Sequence, residues 1–153
     1  MDSFLQLPAV RLALIASGGF YLCGLLTGVW KYVHMARHPQ AHSPVYVDIA
    51  HRSSLMYAFA TLLVATMAAL SAWRDAVNYW AVLSQVSFFA LAIGSYVLHG
   101  LLRDTDNQFE RPHRIARWPL PRHALLVLML LLMAGEIGGF LVLFSGVLKR
   151  LCG

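Results

Sequence analysis

Apolar and polar positions along this chain fall into long blocks rather than short amphipathic periods. Leu12 to Trp30 carries no charge. Ser53 to Trp73 is uncharged and bounded by Arg52 and Arg74. Ala76 to Leu102 is uncharged apart from any proton on His99, and Ala124 to Leu148 holds a single charge, Glu136. Each block is long enough to cross a hydrocarbon core of about 30 Å as an α-helix. A helix also satisfies every backbone polar group within its own segment. The blocks lack the roughly ten-residue alternation of an outer-membrane barrel. The pattern predicts an all-α fold, a four-helix transmembrane bundle forming one domain over residues 1–153, with spans at about 12–30, 53–73, 76–102 and 124–148. The first block is too long for a signal-peptide core and is followed by no small-x-small cleavage site, so it is expected to be retained as a span.

The connections are unequal. Spans two and three are joined by a few residues around Arg74-Asp75, which makes them an antiparallel hairpin. The loop from Lys31 to Arg52 is long and contains Pro39 and Pro44. The loop from Arg103 to His123 is long and contains Pro112, Pro119 and Pro121. Four spans place both long loops on one side and both termini with the short turn on the other. The long-loop side carries eight cations, Lys31, Arg37, Arg52, Arg103, Arg111, Arg114, Arg117 and Arg122. The other side carries four, Arg11, Arg74, Lys149 and Arg150. The positive-inside rule therefore predicts cytoplasmic long loops, in a bacterial inner membrane.

Composition agrees with a bilayer as solvent. Of 153 residues, 59% are hydrophobic and 12% charged, against roughly 25% charged in a soluble domain. The net charge of +5 is distributed over membrane flanks and forms no nucleic-acid stripe. Cys23, inside a span, and Cys152, in the tail, predict no structural disulfide. Gly24-Leu25-Leu26-Thr27-Gly28 and Gly135-Glu136-Ile137-Gly138-Gly139 contain GxxxG patterns, which let helices approach closely, within a protomer or between protomers.

The candidate chemistry lies on one face. All seven histidines, His34, His38, His42, His51, His99, His113 and His123, map to the long-loop side. Histidines suit a membrane interface. They are also common metal and haem ligands. His51, in Asp48-Ile49-Ala50-His51-Arg52 where loop becomes span, is the best single candidate. Arg52 is either a membrane flank residue or a partner for a haem propionate. His34, His38 and His42 are spaced by four, but Pro39 disfavours helix at His38, which weakens the trio as a metal motif. His99, with Asp104, Asp106 and Asn107 following, forms a polar mouth to span three. Glu136 is a protonated structural carboxyl or a functional group inside the membrane. Tyr57 and Tyr96 are packing residues or hydrogen-bond donors. No phosphate-binding glycine loop, CxxC or nucleophile elbow is present.

Ala50-His51-Arg52-Ser53 through Tyr57, followed by an apolar helix, resembles the histidine-bearing second helix of the styrene oxide isomerase family. Gly94-Ser95-Tyr96-Val97-Leu98, with Asn107-Gln108-Phe109 beyond it, resembles that family's third helix and its exit. Chain size, four spans and loop placement are similar too. The resemblance covers about half of the chain and implies a membrane isomerase that holds haem b through a histidine. There, ferric iron acts as a Lewis acid on an aryl epoxide, which rearranges to an aldehyde, and protomers assemble as a homo-oligomer, a trimer. It implies His51 as haem ligand and Tyr96 as active-site tyrosine. Tyr57 and Ala92 stand where the family has asparagines, a departure that bears on the substrate. The sequence-level site is therefore Tyr96, Tyr57 and Asn107 for catalysis, and His51, Arg52, His34 and His99 around a haem whose iron His51 binds. Two other readings stay open. One is a membrane haem protein of electron transfer or sensing, with His34, His99 or His123 as second axial ligand. The other is a non-enzymatic membrane subunit or small transporter.

Overall fold

The computed structural model describes residues 2–116 and 118–153. A single turn, α1 (Asp2–Leu5), precedes four long helices: α2 (Pro8–Arg37), α3 (Val45–Leu70), α4 (Asp75–Leu102) and α5 (Ala124–Cys152). All four are long and apolar enough to cross a membrane. The fold is thus all-α, a bundle of four helices each with the length and apolarity of a membrane span, as the apolar blocks predict.

The helices outrun the apolar blocks at the long-loop side. α2 continues two turns past Trp30 to Arg37, where Pro39 stops it. α3 begins at Val45, directly after Pro44, so the loop between them is only residues 38–44. His51 accordingly lies in the second turn of α3 and not at its opening. The charges that mark a loop in the sequence are neutralised on the helix surface. Lys31 Nζ lies 2.5 Å from Asp48 Oδ1, and Arg52 lies 2.7 Å from Asp48 Oδ2, one turn along α3. Such a pair suits an interfacial turn of helix as well as it suits a loop.

Small residues let α2 and α3 lie against each other over most of their length. Ala50, Ser54, Ala58, Thr61, Ala65 and Ala68 are buried along α3 at spacings of three and four, facing Ala9, Ala13, Gly24 and Thr27 of α2. Ser17 Oγ donates to Ala58 C=O across this seam at 2.8 Å. Gly135 and Gly139 play the same part for α5, where an added Cβ would meet Phe88 and Gln85 of α4 respectively. Both GxxxG patterns therefore pack within one chain.

The two ends of the bundle differ. At the short-turn end, Ala9, Val10, Ala13, Val64, Ala65, Ala68, Ala81, Val82 and Leu143 form a closed core. Ala72 N–H donates to Gly146 C=O at 3.0 Å, and Trp73 Nε1 donates to Ser145 Oγ at 3.1 Å, which ties the turn to α5. At the long-loop end the helices are joined by the two longer connections. The loop from Arg103 to His123 folds over them and contains a two-residue hairpin, β1 (Arg114–Ile115) against β2 (Trp118–Pro119), that no apolar alternation announces. Arg117, one of the cations on this loop, lies outside the described residues.

Candidate functional site

A cavity of about 500 Å³ lies between α4, α5 and the covering loop at the long-loop end. This is within the range of small-molecule sites, roughly 300–1,000 Å³. Its walls are apolar: Leu91 and Leu98 of α4, Leu125, Leu128, Met129 and Leu132 of α5, and Phe109 and Ile115 of the covering loop. A few polar groups interrupt them, Tyr57, Ser95, Tyr96, His99 and Gln108.

The periodicity of α3 decides what reaches this space. Tyr57 is eleven residues beyond Tyr46, only about 20° away round the helix at about 100° per residue. Both rings face α4, with Tyr57 stacked on Phe89 at 4.4 Å and Tyr46 on Tyr96 at 6.2 Å between centroids. Neither the Tyr57 nor the Tyr96 hydroxyl has a hydrogen-bond partner among the described residues. The Tyr46 hydroxyl does, accepting from Gln108 N–H at 2.6 Å.

A latch of hydrogen bonds seats the covering loop. His99, almost fully buried, packs on Tyr46 at 5.1 Å and bonds through Nδ1 to Asp104 Oδ1 at 2.8 Å. Asp104 Oδ2 accepts from Ala116 N–H at 2.6 Å, beside the hairpin. Burial alone would raise the Asp104 pKa. The bonds from His99 and the Ala116 N–H outweigh it and hold the carboxyl below the usual carboxylate range. Ser95 Oγ donates to Gln108 Oε1 at 3.3 Å, closing the same loop from α4.

His51 sits elsewhere. It follows Tyr46 by five residues, about 140° round the helix, and so faces α2. There the glycines form its socket: a Cβ at Gly28 would stand 2.8 Å from His51 Cε1. The Nδ1 atom lies 2.8 Å from Gly24 C=O. A carbonyl only accepts, so Nδ1 carries a proton, and in the neutral ring Nε2 holds the lone pair. A ligating histidine is typically oriented in this way, by donation of its second N–H to a backbone carbonyl.

The remaining predicted residues divide. Asn107 does not line the cavity; its Oδ1 accepts from Phe109 N–H at 3.0 Å, and Gln108 faces the interior in its place. Arg52 pairs with Asp48. His34 faces the Arg103 guanidinium, with 3.3 Å between its Nε2 and the nearer nitrogen. The trio of His34, His38 and His42 forms no single helical face, because α2 ends at Arg37 and His38 caps it with extended backbone. Among the described residues no group of three or more His, Cys, Asp or Glu is placed to hold a metal ion. His113 Nδ1 meets Glu110 C=O at 3.1 Å, and His123 is exposed at the start of α5. Glu136 lies one turn along α5 from Leu132, with Oε1 buried and without a hydrogen-bond partner among the described residues.

Ser95 and Gln108 lie in the stretches Gly94–Leu98 and Asn107–Phe109 but carry no sequence signal for a role. Their pairing follows from a loop fold that a single sequence does not reveal. No protein-family model, curated protein or solved structure matches the chain. Fold and site together define a class, a four-helix protein of membrane-spanning build with an apolar, tyrosine-lined cavity at one end.

Proposed function

We propose that this protein is a haem b-dependent membrane isomerase acting on an epoxide or a similar small apolar substrate. The carrying observation is the apolar cavity with two phenol hydroxyls left unpaired on its wall. Apolar walls admit a hydrophobic substrate from the bilayer and exclude the water that would otherwise open an epoxide to a diol. Tyr96, with Tyr57 beside it, donates a hydrogen bond to the substrate oxygen as it gains charge, the kind of donor whose removal costs about a hundredfold or more in rate.

The residues present fit a haem at one point, His51, whose Nδ1–H donation to Gly24 leaves Nε2 available as ligand. Bound there, ferric haem supplies a Lewis acid for the epoxide oxygen. His51 faces α2 while the tyrosines face α4 and α5, so one chain does not unite them. The reading therefore includes a homo-oligomer, a trimer by the family resemblance, in which the ligand histidine of one copy and the cavity of the next meet. The lipid bilayer is the other partner, and the cation count favours an inner membrane with residues 31–52 and 103–123 in the cytoplasm.

The electron-transfer reading has less support. Of the candidate second ligands, His99 bonds Asp104, His34 faces Arg103 and His123 is exposed at the start of α5, so none of the three is placed beside His51 among the described residues. Turnover of a panel of aryl and alkyl epoxides by ferric and by dithionite-reduced protein tests the proposal. Activity in the ferric state alone, lost about a hundredfold in Tyr96→Phe with haem retained, is expected. Equal activity in both redox states, or an unaffected Tyr96→Phe, contradicts it.

A further inference from the structure

A second recess, of about 420 Å³, opens at the same membrane face but on the other side of α4. His34, Arg37, His38 and His42 line it from the end of α2 and the loop beyond. Arg103 and Asp106 line it from the end of α4. The lining is rich in cations. Lys31 and Arg52 share the carboxylate of Asp48, whereas neither Arg37 nor Arg103 belongs to an ion pair among the described residues. Asp106 is the one acid in the lining, against two guanidinium groups and three imidazoles.

Arg103 makes the imbalance pointed. It holds the left-handed conformation at the end of α4, φ 50°, with its N–H bonded to His99 C=O at 2.8 Å. That conformation is disfavoured for any residue with a Cβ, and glycine is the usual occupant of such a cap. Here its guanidinium meets the His34 ring, with Nη2 3.3 Å from Nε2, a hydrogen bond that the neutral imidazole accepts. The His38 and His42 rings stack beside it at 5.5 Å. An anion between these groups would offset two guanidinium charges that no carboxylate among the described residues pairs. The recess lies one to two turns beyond Trp30 on α2, the level at which an interfacial tryptophan gives way to headgroups.

We propose that this recess binds a phosphate group at the membrane surface, with Arg37 and Arg103 as its charged donors and His34, His38 and His42 as further donors. A guanidinium fork matches the oxygens of a phosphate. The source is an anionic phospholipid headgroup or free phosphate. This site is separate from the tyrosine-lined cavity and does not depend on what that cavity does.

Native mass spectrometry of the detergent-purified full chain tests it, with phosphatidylglycerol, phosphatidylcholine and inorganic phosphate as probes. The expected result is tighter binding of phosphatidylglycerol than of phosphatidylcholine. In the double variant Arg37→Gln/Arg103→Asn the preference falls by about twenty-five-fold, near fivefold for each arginine. Asparagine is chosen at position 103 because it tolerates the left-handed conformation, and circular dichroism checks that helix content is kept. Displacement of the lipid by inorganic phosphate identifies the phosphate alone as the ligand. Lipid binding that resists phosphate identifies the whole headgroup at its membrane position. An unchanged preference in the double variant overturns the proposal. So does an equal loss in Arg122→Gln, an exposed arginine on the same face outside the recess, because the effect is then surface charge alone.

Discussion

Gly28→Ala is a small change with a calculable consequence. The new Cβ stands 2.8 Å from Cε1 and 3.0 Å from Nδ1 of His51. Ordinary carbon contact begins at about 3.5 Å, so the ring must retreat by roughly 0.7 Å. Retreat away from α2 takes the Nδ1–Gly24 hydrogen bond from 2.8 Å to about 3.5 Å, beyond the useful range. Overpacking of this kind costs about 1–3 kcal/mol, and the lost bond about 0.5–1.5 kcal/mol. Alanine recovers about 1 kcal/mol of helix propensity over glycine. The net expectation is destabilisation of about 0.5–3.5 kcal/mol. Gly18→Ala is the control, since nothing lies within 4 Å of a Cβ there. Thermal unfolding in detergent, followed by circular dichroism, compares the two. A haem titration followed at the Soret band adds the functional arm, in which disturbing the bond that orients a ligand weakens affinity by about 10–100-fold. Gly28→Ala as stable as Gly18→Ala refutes the socket. Unchanged haem affinity with lowered stability refutes the role given to the Nδ1–Gly24 bond.

Asp104→Asn removes the charge that holds the covering loop, and proteolysis between residues 103 and 123 is expected to accelerate. The Asp104 pKa is lowered in the fold, so its contribution is present above the unfolded value of about 3.9 and lost as pH falls through the lower folded value. The wild-type loop should therefore stay protected at neutral pH and be released only in strong acid. Release near pH 6 contradicts the latch. Single cysteines placed in the loop 103–123 should resist impermeant thiol reagents in intact cells and react after permeabilisation. Labelling from outside reverses the orientation.

The four spans are legible because bilayer-facing helices need only length and apolarity, and the chain supplies both without interruption. The start of α3 is not. Asp48 and Arg52 look like loop charges until Lys31, seventeen residues upstream, is seen to complete the cluster. His51 reads as standing where loop becomes span, whereas it lies in the second turn of α3, and its setting depends on Gly24 and Gly28 of another helix. A GxxxG pattern in a sequence does not say which side chain fills its groove. The choice of Asn107 over Gln108 is the sort of detail that a loop decides by its path, here through the bonds of Gln108 to Tyr46 and Ser95. The polar mouth after His99 is legible in outline, because Asp104 is near in sequence. Its second bond, to Ala116 N–H, depends on the hairpin that follows.

The absorption spectrum of the purified protein bears most directly on the central claim. Wild-type protein is expected to carry a haem b Soret band, and His51→Ala to lose it while keeping its helix content. A wild-type spectrum without a Soret band after haem supplementation, or full haem occupancy in His51→Ala, contradicts the account.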